Sequence, residues 1–448
     1  MDKLFTSVLF FIYITLSSAS LSHRVSLDDL TKTYDLITEK IKYDKENNQI
    51  KSTAEIQTNE QILIIPLTKV ISSAEPYQFE EFFNRNQREK LIGRLLIEKF
   101  IGQNSTQHQY IESLPSPGEL TDYYHYSEEN IKELNRRVYF TKGTFENRKE
   151  QYESVIKKIP SNPMSQVLLN WDLYNWASSI INCNAMIFKK YYYYGEVKRV
   201  NKFIPSTTQN NNLNEELCLI PGLNIFKKGK FNNLLGNKLD SNVFVYKNNI
   251  YLNSDRFIDE DQEVFNEIQF QSNKELFEQC GNFVEDFYHE EIKIKLSSTN
   301  WDINRYNLCK ELGCMGDSSS PEFLFRLMLN QQFLLYCQID QLNGEENLKA
   351  VYKQLRQGKR ISKENHLKSL ARGVEILKDF AKKNNKTKLA KDILDLEKVP
   401  SYDRKRTIMI KYAISQKMIL LHQMKLLNDK IIVEMNEDLF GSIKKRYI

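Results

Sequence analysis

Apolar side chains recur at steps of three and four residues along the stretch from Asn170 to Phe188. The residues that carry this spacing are Leu173, Trp176, Ala177, Ile180, Ile181 and Ala185. Such spacing places side chains on one side of an α-helix, and neither Pro nor Gly interrupts the stretch. The pattern therefore predicts one buried helix from Asn170 to Phe188, which periodicity alone interprets as an ordinary core helix.

The first part of the chain predicts short strands around a few helices. Residues 22 to 60 are polar with short amphipathic pieces, which predict a helix from Leu27 to Lys40 and then a hairpin. The run from Gln61 to Val70 is rich in branched apolar residues and predicts a strand that Pro66 ends. Two further apolar runs flank Asn248-Asn249 and predict a second hairpin.

Helices dominate the remaining predictions. They are expected at 89–101, from Glu128 to Ile159 and on into the helix at 170–188, at 321–342, and onwards from Asn347, Ser362, Lys388 and Asp403. The composition changes after Gly316, and the last helix, which runs through Met435, carries a broad apolar stripe. The C-terminal part is therefore predicted to be a helical bundle.

Length and composition are those of an ordinary globular protein. The 448 residues are 41% hydrophobic and 27% charged, which is enough for two or three domains with a sizeable core. Such a core does not require disulfides for folding. The formal net charge is +5, from 63 basic and 58 acidic residues, and this bias is too weak to indicate a nucleic-acid partner.

The N-terminus has the layout of a secretory signal peptide. Lys3 precedes an apolar run from Leu4 to Leu16, and small residues follow at 17–20. The run is too short to cross a bilayer comfortably. A signal peptide at 1–21 is therefore predicted, with an uncleaved anchor or a buried N-terminal helix as the alternatives. No later segment has the length and apolarity of a membrane span.

Cysteines and sequons bear on the same question of secretion. The six cysteines are Cys183, Cys218, Cys280, Cys309, Cys314 and Cys337. An even number fits disulfides in an oxidising compartment, and free core cysteines fit equally well. No second pair or nearby His completes four ligands, so no metal site is predicted. The triplets beginning at Asn104 and Asn385 are candidate N-glycosylation sites.

Four stretches carry motifs that occur in a fixed order. The helix at 170–188 is similar to W-A-x-x-x-V-x-S-R, and the segment from Leu96 to Pro115 ends in Tyr-Ile-x-x-Leu-Pro. Residues 217–226 are similar to L-V-P-x-x-D-x-x-N-H, and 251–284 follow a pattern that includes E-E-V-F and S-N-x-E-L-L-x-x-Y-G-F-V. Together they resemble SET-domain methyltransferases of the Rubisco large-subunit and actin-histidine type, over about residues 54 to 430.

The resemblance implies an α+β fold. It consists of a SET-type core of small twisted β-sheets with a helical insertion at about 85–200, followed by an all-α domain that in this family helps to hold the protein substrate. The implied domains are the signal peptide at 1–21, a SET-like domain at 22–316 and a helical domain at 317–448. The implied partner is a protein, with no nucleic acid and with no membrane span after signal cleavage.

Enzymes of this family transfer a methyl group from S-adenosylmethionine to a Lys or His side chain, and positioning does most of the work. A Tyr hydroxyl near the sulfonium orients the nucleophile. Ile268 occupies that Tyr position here, so the catalytic residue is unknown. Asn224 matches the Asn of the cofactor-binding Asn-His pair. The other family positions also differ: Ile225 for that His, Pro221 for an Asp, Cys183-Asn184 for Ser-Arg, Cys280 for a second Tyr, and Ile50-Lys51-Ser52 for the Gly-x-Gly turn.

Two hypotheses from different classes follow from these positions. The favoured one is a catalytically degenerate SET-fold protein of the secretory pathway that binds no cofactor and acts as a protein-binding or structural module. The alternative is an active S-adenosylmethionine-dependent methyltransferase acting on Lys or His, in which Tyr251 enters the site from the neighbouring hairpin. A pocket remodelled for another ligand is a weaker third hypothesis. A disulfide between Cys183 and Cys280 is a further hypothesis.

Overall fold

The computed structural model describes residues 27–44, 49–74, 83, 86–138, 143–157, 170–189, 198–199, 215–225, 243–246, 248–254, 256–264, 272–283, 290–296, 301–314, 321–342 and 348–446. The chain divides into two compact units. Unit 1 comprises Met1–Ser116 and Lys158–Ile268, and unit 2 comprises Pro117–Lys157 and Gln269–Ile448. The signal peptide predicted at 1–21 lies outside the described residues, and the predicted domain boundaries stay a prediction.

The described helices are α1 Leu27–Tyr34, α2 Gln87–Ile101, α3 His108–Ser113, α4 Glu128–Arg137, α5 Gly143–Ile156, α6 Trp171–Asn184, α7 Asn273–Cys280, α8 Ile303–Glu311, α9 Gln331–Asp340, α10 Leu348–Arg356, α11 Lys363–Asn384, α12 Leu389–Glu397 and α13 Arg404–Arg446. The described strands are β1 Ile37–Thr38, β2 Ile41–Asp44, β3 Gln49–Ser52, β4 Gln61–Pro66, β5 Ile71–Ser72, β6 Met186–Lys189, β7 Lys198–Arg199, β8 Glu215–Leu219, β9 Val243–Tyr246, β10 Asn249–Asn253, β11 Ile292–Lys295 and β12 Glu322–Phe325.

Unit 1 contains small antiparallel sheets. The largest has the strand order β1-β4-β10-β9-β7, and the others are the hairpin β2-β3 and the sheet β5-β8-β6. Strand β10 buries Ile250 and Leu252, while Asn249, Tyr251 and Asn253, which alternate with them, are half-buried. This alternation is expected of a strand with one face on the core. The predicted hairpins are confirmed: β2 pairs with β3, and β9 pairs with β10 around Asn248, which has φ +63°.

Two predicted helices of unit 1 end earlier than the pattern indicates. The helix expected to reach Lys40 ends at Tyr34, because Asp35 adopts a left-handed φ of +53° and Ile37 pairs with Ile64 of β4. The helix predicted to reach Phe188 ends at Asn184, and the next residues form strand β6 against β8. In both cases the chain leaves the helix to complete a sheet.

Unit 2 is mostly helical. Helix α13 packs against α11 and α12, and α9 packs against α11. The predicted helix starts are confirmed to within one residue at Leu348, Lys363, Leu389 and Arg404. The α11 start is fixed by its N-cap, because the Ser362 side chain accepts a hydrogen bond from the Asn365 amide. The long helix predicted at 321–342 is wrong in its first part, which forms β12.

Strand β12 pairs with β11, and its residues alternate between exposed and buried. Phe323 and Phe325 point into the core and meet Phe333 of α9 edge to face, with ring centroids 5.4 and 4.9 Å apart. Each such ring contributes about 2–3 kcal/mol by burial alone. The two inward aromatic residues therefore favour a strand here over one more turn of helix.

A second aromatic cluster joins three elements of unit 2. Phe277 of α7 stacks on Tyr412 of α13 with ring centroids 4.6 Å apart, and Tyr126 meets Phe277 edge to face at 5.8 Å. Gly281 caps the C-terminal end of α7 with a left-handed φ of +56°. It lies so close to the Thr121 backbone that a Cβ there would be 1.9 Å from the Thr121 carbonyl carbon. Only glycine fits both the backbone conformation and the space at this position.

A buried charge network holds the helices of unit 2 together. The Asp392 carboxylate is fully buried. It accepts a hydrogen bond from Arg137 Nη1 at 2.7 Å and pairs with the Lys417 ammonium. Arg137 additionally pairs with Glu133 at 2.6 Å and with Asp395 at 2.9 Å. The network therefore ties α4, α12 and α13 to one another, and each buried charge in it has a partner.

Candidate functional site

Asn224 lies in a short 3-10 turn, Leu223–Ile225, that follows strand β8. Its side-chain amide donates hydrogen bonds to the Ser113 carbonyl at 3.3 Å and to the Ser113 hydroxyl at 3.1 Å. The Ser113 hydroxyl in turn donates to the Tyr110 carbonyl at 2.5 Å. The Asn224 amide therefore ties the turn to the end of α3, while its Oδ1 is buried without a hydrogen-bond partner.

Trp176 anchors helix α6 in unit 1. The indole is 1% exposed and donates its N–H to the Pro115 carbonyl at 2.7 Å. Lys99 of α2 places its ammonium 4.5 Å from the ring centroid, in a cation–π contact. Burial lowers the pKa of Lys99. The predicted W-A helix and the predicted Tyr-Ile-x-x-Leu-Pro segment are thus brought together.

The end of α6 holds Cys183 and Asn184, at the positions where the family has Ser-Arg. The Asn184 side chain turns back onto its own helix and donates to the Ile180 carbonyl at 3.1 Å. An amide in this local cap supplies no positive charge. Asn184 itself therefore supplies no charge at the family Arg position, and the cation described on this last turn of α6 is Arg88 of α2, whose Nε donates to Asn182 at 2.9 Å.

The segment Ile50-Lys51-Ser52, which replaces the Gly-x-Gly turn, is part of strand β3. Its backbone groups are bonded within the chain: the Ser52 amide donates to Gln262 O at 2.9 Å, and Ile50 O accepts from Val264 at 2.8 Å. Ser52 itself is fully buried and its hydroxyl donates to the Asp259 carbonyl at 2.5 Å. These backbone groups are bonded to Gln262 and Val264, on either side of the bridge between Lys51 and Glu263, so they do not form an open cradle for a ligand.

Tyr251 lies in the middle of β10, opposite Ile64 of β4 and Phe244 of β9. The strand buries its neighbours Ile250 and Leu252, and Tyr251 is half-buried on the other face of the sheet. Ile268, at the family Tyr position, lies outside the described residues, so the proposal that Tyr251 replaces that hydroxyl stays a prediction.

Sequence reasoning missed a buried polar face on α6. Asn175, Ser178, Ser179 and Asn182 are all buried, at steps of three and four residues. Asn182 accepts a hydrogen bond from Arg88 Nε of α2 at 2.9 Å, and the Ser178 hydroxyl is buried without a hydrogen-bond partner. The signal was present as a second periodicity in the same helix, but apolar spacing alone conceals it.

In unit 2, Cys280 is the last residue of α7 and is half-buried. Cys309 and Cys314 form a disulfide, while Cys218 in unit 1 and Cys337 in unit 2 are buried free thiols. The proposed pairing of Cys183 with Cys280 stays a prediction.

Over the described ranges, no group of three or more His, Cys, Asp or Glu side chains is placed to hold a metal ion. None of the helices in the part of the chain that is described combines the length and apolarity needed to cross a bilayer.

Comparison with known proteins gives structural matches alone, since no family model and no curated protein matches the sequence. The SET domain of LSMT bound to lysine and AdoHcy is 16% identical, with a TM-score of 0.64 and 93% of each chain covered. Rubisco LSMT bound to AdoMet is 15% identical, with a TM-score of 0.65, covering 92% of this chain and 93% of that one. Rubisco LSMT bound to sinefungin and monomethyllysine gives 16% identity and a TM-score of 0.64, with 92% and 93% covered.

These matches confirm the predicted α+β fold and the predicted resemblance. The chain has the fold of SET-domain methyltransferases of the Rubisco LSMT type, with small sheets and an all-helical C-terminal region. At 15–16% identity the likeness establishes the fold, and function has to be argued from the residues of the site.

Proposed function

We propose that this chain is a SET-fold protein that has lost methyl transfer and acts by binding another protein. The observation that carries the proposal is the state of the backbone at Ile50–Ser52, where strand pairing uses the groups that a glycine turn would leave open. The sequence adds Ile268, Ile225 and Cys280 at positions where the family has Tyr, His and Tyr. An aliphatic side chain cannot orient a nucleophile or stabilise a transferring methyl group.

The residues present do not fit S-adenosylmethionine. Its amino-acid end carries a carboxylate, and Asn184 at the family Arg position bonds to its own helix and brings no charge. Asn224 has one acceptor without a partner, Oδ1, and its amide nitrogen already donates to Ser113. A buried acceptor without a backbone cradle and without a cation at position 184 supports weak binding at most.

Calorimetry with S-adenosylmethionine and sinefungin tests the proposal directly. We expect no binding heat for the purified chain up to about millimolar ligand, since the donor groups described at Ser52, Asn184 and Asn224 are already used. The matched variant Asn224→Ala should behave identically. Micromolar affinity in the wild type that Asn224→Ala abolishes would overturn the proposal and favour the active enzyme.

The active enzyme is kept as the second candidate because the free Oδ1 of Asn224 is where a cofactor donor would bind. Its direct test is transfer of a radiolabelled methyl group to Lys-containing and His-containing peptides. Incorporation that the Tyr251→Phe variant loses would assign the missing hydroxyl to Tyr251 and refute the loss of activity.

We propose in addition that the chain enters the secretory pathway. Support comes from the apolar run at 4–16, from the disulfide Cys309–Cys314, and from Asn104, which is exposed in a turn after α2. Asn385 is less suited to carry a glycan, because the hydroxyl of Thr387 in the same triplet accepts from the buried Lys417 ammonium at 2.7 Å.

Expression in eukaryotic cells followed by glycosidase treatment tests this placement. The expected result is one glycosidase-sensitive mass shift that Asn104→Gln removes, with Asn385→Gln as the matched control that keeps it. Protein found in the cytosol without any glycan would refute the secretory proposal, and non-reducing peptide mapping of the same sample tests the predicted Cys183–Cys280 bond.

A further inference from the structure

Three consecutive carbonyl groups in unit 2 are held by one helix. Gln423 of α13 is fully buried, and its amide nitrogen donates to the carbonyl of Arg326 and to that of Met328 at 3.1 Å. The ring Nε2 of His422 lies 2.9 Å from the Leu327 carbonyl. The loop between β12 and α9 is therefore fixed to α13 through its backbone, which leaves the side chains of Leu327 and Met328 to point outward.

Those side chains form part of an exposed apolar patch. Met328 is 82% exposed and Leu327 is 39% exposed, while Met418 and Leu421 on the adjoining turn of α13 are 54% and 48% exposed. Leu421 directly precedes His422 and Met418 lies one turn before it, and the His422 ring contacts the Leu327 carbonyl, so the loop and this face of α13 lie side by side. Large apolar groups displayed together on a rigid support mark an interaction surface. Two are methionines, which adapt to varied partners.

The surroundings of this patch, defined as Leu327, Met328, Met418 and Leu421, expose more basic than acidic side chains. Lys425 lies two turns beyond Met418 on the same face and is exposed, and no ion pair is described for it. Strand β11 turns Lys293 and Lys295 outward, and Arg326 starts the loop. The acidic side chains described here are Glu322 and Glu291, which pair with Lys293 and Arg326, and Asp429 one turn beyond Lys425. Glu290 is also near, but it is buried and accepts a hydrogen bond from Gln416.

We infer that this patch binds an acidic amphipathic helix of a partner protein, with its apolar face on the two methionines and its carboxylates on the surrounding lysines. The inference rests on the proposed function, because it supplies the partner that a protein-binding module needs. Charge complementarity determines that the partner's charge is negative, and the apolar side chains supply most of the affinity. An apolar helix face laid into such a surface is a common mode of peptide recognition.

The probe is a synthetic fluorescent peptide of about 18 residues, long enough to form a helix, with leucines on one face and glutamates on the other. Its matched control replaces every glutamate by lysine. We expect the acidic peptide to bind the full chain with micromolar affinity and the basic peptide to bind at least tenfold more weakly. Raising the salt from about 0.05 M to about 0.5 M should weaken the acidic complex several-fold.

Variants of the patch distinguish specific peptide binding from nonspecific adsorption. Met328→Ser and Met418→Ser should each weaken binding about tenfold, since each removes one apolar anchor from the interface. Lys425→Glu should weaken the acidic peptide and strengthen the basic one. Ile303→Ser is the matched control, because Ile303 is 68% exposed on α8 of the same unit and lies outside the patch. It should leave binding unchanged.

Several results would overturn the inference. These are equal binding of both peptides, binding insensitive to Met328→Ser and Met418→Ser, a dimer in light scattering that those variants dissolve, or capture of the chain by anionic vesicles but not by the peptide. The calorimetry with S-adenosylmethionine is independent of these measurements. A bound cofactor with an intact peptide response would refute the proposed function alone.

Discussion

Replacing Glu278 by glutamine tests the electrostatics of the packed centre of unit 2. Glu278 is 9% exposed in α7, and burial raises its pKa to about 7 from an ordinary value of 4.5. Its Oε1 lies 3.8 Å from the Lys274 ammonium on the same helix, which partly offsets the burial, and Glu275 adds repulsion. From α13, the fully buried Tyr412 faces the carboxyl, and its own pKa is raised well above normal by burial and by nearby carboxylates.

The sign of the effect follows from the raised pKa. A carboxyl that is easier to protonate in the folded state stabilises the fold below pH 4.5, and this contribution is lost as the pH rises through about 7. A difference of about 2.5 pKa units corresponds to about 3 kcal/mol of unfolding free energy. A glutamine side chain in this place would stay neutral at every pH. We therefore expect Glu278→Gln to match the wild type near pH 4.5 and to be more stable by up to about 3 kcal/mol at about pH 8.

Urea unfolding followed by circular dichroism, at several pH values from about 4.5 to 8, measures this difference. Subtracting the wild-type profile from that of Glu278→Gln removes the contributions of other groups, including Glu290, whose pKa burial also raises. Glu364→Gln is the matched control, because Glu364 is exposed and pairs with Lys368 on the surface of α11. A difference between wild type and Glu278→Gln that is the same at both ends of the pH range would refute the reasoning.

Two further substitutions test the packing of unit 2. Gly281→Ala should lower the unfolding free energy by about 3 kcal/mol or more, since its Cβ would overlap the Thr121 backbone; an unchanged melting temperature would contradict the close approach. Asp392→Leu should cost about 3–5 kcal/mol, because it leaves Arg137 and Lys417 buried without their shared carboxylate. Adding Lys417→Met should recover part of that loss in urea unfolding, and no recovery would argue against the network.

Local signals explain which elements could be predicted from the sequence. The hairpin β9-β10 was predictable because Asn248 tolerates the left-handed conformation that its turn requires. The start of α11 was predictable because Ser362 can cap the helix with its own side chain. Information of this kind lies within a few residues, so the pattern locates the elements correctly.

Elements that depend on distant partners were predicted less well. Met186 to Phe188 continue an apolar pattern and were predicted to be helical, but they pair with β8, which begins at Glu215. Strand β12 is likewise specified by β11, where Phe325 pairs with Ile292 and Phe323 with Ile294. A short apolar run fits a helix or a strand equally, and the choice is made by a partner that periodicity does not reveal.

The candidate site shows the same division. The motif positions assign Asn224 and the end of α6 to the site from residue identity in order along the chain, and that assignment stays a prediction. The hydrogen-bond partners of these side chains could not be predicted. Asn224 donates to Ser113, and Asn184 donates to a carbonyl of its own helix. Hydrogen-bond partners are a property of the folded chain, and they decide whether a polar residue is available to a ligand.

The balance of donors and acceptors is what separates the two functional hypotheses. A cofactor with a carboxylate, an amino group and a sulfonium needs donors, acceptors and an oriented hydroxyl in one place, and each of these has to be unused in the free protein. At Ile50–Ser52 and at Asn184 the groups are used internally, which leaves the Oδ1 of Asn224 as a buried acceptor without a partner. A ligand that used these groups would first have to break hydrogen bonds within the chain, and this cost would lower its affinity. This use of the polar groups is the reason for proposing a binding module over an enzyme, and cofactor calorimetry is the measurement that decides between them.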